Sequence, residues 1–190
     1  MTYWFLFISL CVLWLGFMMQ PRYGALMTAN LTEEPVYPSV GAQICQWGFN
    51  ILVPTVMLWQ FFNEAHGSTI DIATFAKFLV LIALVECYRL VLAFLLNYAF
   101  RLDRYFGSLY LRYLSVRMVF TIGLLILALL PISSSVGWQL LFAWLTICIG
   151  YTTISWRKLM NAQTYSIIYI LLFLITAEIL PWAAFYVYSL

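Results

Sequence analysis

The run of apolar residues from Thr74 to Asn97 carries Glu86 and Arg89 near its middle, and that pair restricts the possible folds more than any other feature. The run is long enough to cross a bilayer, which takes about 20 residues. A charge placed there costs about 2.5–3.5 kcal/mol on insertion scales unless it is paired or hydrated. Three residues apart, the two groups share one helical face. Ile82, Ala83, Ala93 and Asn97 fall on or beside that face, whereas Leu and Val dominate the rest of the run. This face is therefore expected to meet other helices and not lipid.

Composition extends the argument to the whole chain. Of 190 residues, 65% are hydrophobic and 8% charged, against about 25% charged in an ordinary soluble domain. The expected fold class is all-α: a polytopic transmembrane helix bundle forming a single integral membrane domain over residues 1–190. A net charge of +2 argues against a nucleic-acid partner and for a bilayer, with anionic phospholipid as a possible contact. Cys11, Cys45, Cys87 and Cys148 sit in separate apolar segments with neither C-x-x-C nor metal spacing, so they read as small core residues.

About six spans are expected, at 2–19, 43–62, 74–97, 118–132, 139–156 and 164–188. The first reads as a retained helix and not a signal peptide, because no basic residue precedes Trp4 and the first arginine is Arg22. Residues 22–41, with Glu33, Glu34, Pro35 and Pro38, read as a surface loop, and Pro54 should kink the second span. A polar turn from Asn63 to Asp71 holds His66, the one histidine, read as a plain surface residue.

Between the third and fourth spans, at about 99–117, Arg101, Arg104, Ser108, Arg112 and Ser115 recur every three or four residues opposite Leu102, Tyr105, Phe106, Leu109, Tyr113 and Val116. That pattern predicts an amphipathic interfacial helix lying flat in the head-group layer. Its Arg101, Arg104, Arg112 and Arg117 would face lipid phosphates or an acidic partner. The fourth span is then only fifteen residues long and must borrow a turn from this helix. With the N-terminus outside, Arg22, Arg101, Arg104, Arg112, Arg117, Arg157 and Lys158 lie on the cytoplasmic side and Lys77 on the other. The positive-inside rule then places both termini outside. Trp4, Trp59, Trp138 and Trp182 would sit near the outer interface, and Trp47 and Trp156 near the inner one.

Glu178 lies about halfway through the last span, at the depth of Glu86. A buried cluster of Glu86, Arg89 and Glu178 is expected if spans three and six are neighbours. With two acids and one base, one glutamate must be protonated or bonded to a neutral donor. The carbonyl of Ala177 loses its helical partner to Pro181 and makes that turn locally polar. Two readings stand beside each other: a structural polar lock between helices, and a proton-handling or ligand site. No catalytic residue, metal site or cofactor is expected, because His66 is alone and no nucleophile–base pair, Walker loop or dinucleotide turn is present.

The stretch Leu171-Leu172-Phe173-Leu174-Ile175-Thr176-Ala177-Glu178-Ile179-Leu180-Pro181 resembles the closing L-x-x-x-E-I-L-P-like run of a small multi-pass membrane family of Bacteroidota, domain of unknown function 4271. Tyr110-Leu111-Arg112 and the Leu129-Leu130-Pro131 span ending are similar to it in kind, and the resemblance covers roughly residues 75–190. It implies an inner-membrane protein of a Gram-negative cell and brings no activity with it. The leading functional expectation is a non-catalytic subunit or assembly factor of a larger envelope complex, in contact with other membrane proteins or its own copies. The alternatives are a proton-coupled transporter or channel component using Glu86 and Glu178, and, more weakly, an enzyme acting on lipid head groups gathered by Arg101, Arg104 and Arg112.

Overall fold

The computed structural model describes residues 2–19, 39–67, 72–100, 103–159 and 164–189; within these, the side chains at 2–3, 17, 100, 103–106, 108, 158–159, 164–167 and 189 are not described. Among the described residues the chain is helical almost throughout, with no strand. The helices are α1 (Thr2–Met19), α2 (Val40–His66), α3 (Ile72–Phe100), α4 (Asp103–Leu129), α5 (Ser134–Leu159), α6 (Thr164–Leu174) and α7 (Leu180–Ser189). A π-helical turn, Ile175–Ile179, joins α6 to α7.

Four helical segments are long and apolar enough to cross a membrane: Ile72–Ala99, Leu109–Leu129, Ser134–Arg157 and Ile168–Tyr188. The described apolar part of α1, Trp4–Gly16, is shorter than that. The helix over the expected second span, α2, is not among the four although it has 27 residues. Its composition explains this, since it carries Gln43, Gln46, Asn50, Gln60, Asn63 and Glu64.

Of these polar groups, Gln46 and Asn50 are buried, because α2 is the centre of the bundle. It packs against α1, α3, α4, α5 and α7, and every residue from Val53 to Trp59 is buried, Pro54 included. Ser39 starts the helix by accepting a hydrogen bond from the Ala42 amide at 3.3 Å. Gly67, at φ 57°, ends it in the left-handed conformation that suits glycine. The helix continues to His66, so Asn63–His66 form its last turn and not a loop. His66 is exposed and stacks on Phe62 with ring centroids 4.1 Å apart.

A ladder of hydrogen bonds joins α2 to α4. Gln46 Nε2 donates to the Leu114 carbonyl at 2.8 Å. The Thr121 hydroxyl donates to Asn50 Oδ1 at 2.8 Å, and Gln60 Nε2 donates to the Ala128 carbonyl at 3.2 Å. Partners rise together along both helices, so α2 and α4 run parallel. The α4 positions 114, 121 and 128 recur every seven residues, the spacing of a continuous helix–helix seam.

The structure corrects the expected interfacial helix at about 99–117. From Asp103 on, that stretch and the short fourth span form one continuous helix, α4, ending at Leu129. The reason is that Arg112 and Arg117 find partners inside the bundle, so the helix need not lie flat to place them at phosphates. Of the apolar window in α4, 61% is buried, against 22% in α3. The outward face of α3 shows Val80, Leu84, Val91, Phe94 and Tyr98.

Two further expectations change. Only Cys148 is a buried cysteine; Cys11 and Cys45 are half-buried and Cys87 is exposed. Trp59, Trp138, Trp156 and Trp182 are buried against protein, while Trp4 stays exposed. Gly137 is required by close packing, because a Cβ there would sit 2.3 Å from the ring of Phe61.

Candidate functional site: a buried ionic cluster

The core divides into two apolar regions with a charged layer between them. One region gathers Val53, Trp59, Phe78, Ile82, Met118, Phe120, Leu141 and Trp182. The other gathers Ala93, Leu109, Tyr113, Trp156, Tyr169, Phe173 and Ala177. Along α3 the boundary falls at Glu86 and Arg89, along α4 at Arg117, and along the last helical segment at Glu178.

Glu86, Arg89, Arg117 and Glu178 meet in this layer as four ion pairs. Oε1 of Glu86 accepts from Nη1 of Arg89 and Nη2 of Arg117. Oε2 of Glu178 accepts from Nη2 of Arg89 at 3.1 Å and from Nη1 of Arg117 at 3.3 Å. The Tyr113 hydroxyl donates to the other oxygen of Glu178. All five residues are buried, with no more than 9% exposure.

Two acids against two bases leave the cluster formally neutral. That removes the main objection to charges in an apolar interior, where a lone ion is far more costly than a paired, hydrogen-bonded one. Arginine suits this position because its planar fork bridges two carboxylates at once. The Arg117 guanidinium also lies 5.5 Å from the centroid of the Phe120 ring. Aromatic rings close both sides: Tyr113 and Trp156 pack on Phe173 at 5.0 and 5.3 Å, and Phe120 meets Trp182 at 5.7 Å.

The π turn aims two of these groups. Pro181 lacks an amide hydrogen, so it cannot bond the Ala177 carbonyl four residues back. That carbonyl accepts instead from Nε of Arg89 at 2.8 Å. The Leu180 amide reaches back to the Ile175 carbonyl, the five-residue spacing of a π turn. Glu178 therefore lies in a turn held by α3 as much as by its own helix.

Of the residues singled out from the sequence, Glu86, Arg89 and Glu178 are brought together here. Arg117 moves from the expected head-group stripe into the cluster, 3% exposed. Arg112, half-buried, donates from Nη1 to the Ser155 hydroxyl at 3.1 Å on α5. Arg101 lies outside the described residues, and so does the side chain of Arg104, whose backbone belongs to α4. Among the described residues no group of three or more His, Cys, Asp and Glu is placed to hold a metal ion.

Two sequence signals pointed to Arg117. Two acids shared one base, and the fourth span was too short; extending that span back through Arg117 removes both deficits. Comparison with known proteins adds no relative, as no family model, curated protein or solved structure matches the chain.

Proposed function

We propose that the chain is a multi-pass inner-membrane protein that serves as a non-catalytic subunit or assembly factor of a larger envelope complex. The observation that carries this reading is the self-contained cluster of Glu86, Arg89, Arg117 and Glu178, in which each charge is answered by another residue of the same chain. Such a cluster fixes α3, α4 and the π turn against one another and acts as a lock. The exposed apolar faces of α1 and α3, with Phe7, Trp14, Leu84 and Phe94, are then the surfaces available to other membrane proteins or to second copies. In the same reading the chain crosses about six times with both termini outside, and Arg101 and Arg104 lie near anionic head groups. The E-I-L-P stretch at Glu178–Pro181 supports the inner-membrane assignment through its resemblance to domain of unknown function 4271.

Purification of the tagged native protein in a gentle detergent, followed by mass spectrometry, tests the proposal. Defined partners at a fixed ratio are expected; a lone monomer would overturn the subunit reading. A second reading, a proton-coupled membrane component, draws on a small, mostly apolar cavity that touches Glu178 and Arg117. It requires proton flux in vesicles that disappears in Glu86→Gln and Glu178→Gln.

A further inference from the structure

The two arginines of the cluster are not equivalent. Arg89 uses Nε, Nη1 and Nη2, with the Ala177 carbonyl taking the Nε hydrogen. Arg117 uses only Nη1 and Nη2; its Nε–H is buried and makes no hydrogen bond to protein. An unpaired buried donor of this kind is costly and rare.

A cavity adjoins the unpaired group. It lies between α4, α5 and the last helical segment; apolar side chains such as Phe120, Leu145 and Leu174 make most of its wall, and Tyr113, Arg117, Thr152 and Glu178 reach it among them. Its volume is about 10 Å³, close to the ~10–15 Å³ that one water molecule requires. A buried water also needs two to four polar partners. Arg117 Nε–H is free to donate, and the Glu178 carboxylate has lone pairs to accept. Thr152, whose hydrogen is given to the Cys148 carbonyl at 2.8 Å, keeps oxygen lone pairs to accept as well.

We propose that this cavity is a binding site for a single water molecule that accepts from Arg117 Nε and donates to Thr152 Oγ1 and Glu178. The site goes beyond the structural lock: it completes the hydrogen bonding of Arg117 and places an exchangeable proton carrier against Glu178. Val116 and Cys148 line both this cavity and a larger apolar groove of about 220 Å³ between α4 and α5. They are the wall between the water and that groove, which makes Cys148 the position from which to change the cavity without touching the cluster.

The test uses the full chain in nanodiscs with ¹⁵N-labelled arginine, the Arg117 Nε–H signal being assigned by its loss in Arg117→Lys. Cross-relaxation from that hydrogen to water is expected in the native sequence, and its absence would overturn the proposal whatever the variants do. Cys148→Val fills the cavity with methyl groups; it should abolish the cross peak and lower Tm by about 2–4 °C, as one unpaired buried donor does in a chain of this size. Cys148→Ser adds a polar group at constant shape and should keep both the cross peak and the Tm. A dry void gives the reverse order, with Val neutral or stabilising and Ser destabilising. A cross peak that survives Cys148→Val would place the water elsewhere and overturn this site.

Discussion

Arg117 and Arg89 do the same work from different helices, each bridging Glu86 to Glu178. Removing either leaves a net negative charge in an apolar interior. Arg117→Leu is expected to destabilise the chain by about 3–5 kcal/mol, the scale of a broken buried pair. The sign of a second change follows from charge balance: adding Glu86→Gln removes the surplus negative charge, so the double variant should be more stable than Arg117→Leu alone. Thermal unfolding of both in detergent checks this, and a double variant that melts lower than the single one would show that balance is not what holds the cluster. At this scale the sequence was most readable where the surroundings were most apolar. Glu86, Arg89 and Glu178 stood out against Leu, Ile and Val. Arg117 did not, because its spacing from Arg104 and Arg112 on a half-polar stretch has the same pattern as a lipid-facing stripe. What separates the two cases in the sequence is indirect: two acids sharing one base, and a fourth span too short unless it extends back through Arg117.

At the scale of elements, Pro181 links a covalent fact to the position of a charge. The missing amide hydrogen of Pro181 frees the Ala177 carbonyl, Arg89 takes it, and the helix widens to a π turn around Glu178. In a plain helix interior, proline costs about 3 kcal/mol relative to alanine. Pro181→Ala is expected to yield none of that gain. The new amide hydrogen would compete with Arg89 for Ala177 and draw the π turn back toward an α-helix, rotating Glu178 away from its partners. A rise in Tm on this substitution would contradict the account. The freed carbonyl was legible from the single letter at position 181. The continuity of α4 was not: a cationic face on Asp103–Leu129 predicts a flat helix only if its arginines lack partners within the protein. Ser155, Glu86 and Glu178 supply those partners from α5, α3 and the π turn.

At the scale of the whole molecule, the arrangement is one polar central helix, α2, enclosed by more apolar ones. The sequence does not pair Gln46, Asn50 and Gln60 with anything, because their partners Leu114, Thr121 and Ala128 lie 68 to 71 residues along the chain. Asn50→Cys in a chain truncated after Phe100 should react with a membrane-permeable maleimide, and the same residue in the full chain should be protected. Equal labelling in the two would mean that α4 does not cover this face of α2.

The parallel seam between α2 and α4 also imposes a timetable. Gln46 and Leu114 are 68 residues apart, and Asn50 and Thr121 are 71 apart. At about 5–20 residues per second, a ribosome delivers the α4 partners about 3–14 s after the α2 residues they bond. For that interval α2 exists without its partners on α4, and α3 with Glu86 and Arg89 but not Arg117. The chain is thus committed to a waiting state during synthesis, and the emergence of α4 resolves both debts at once: it brings the partners of α2 and, in Arg117, the second cation of the ionic layer.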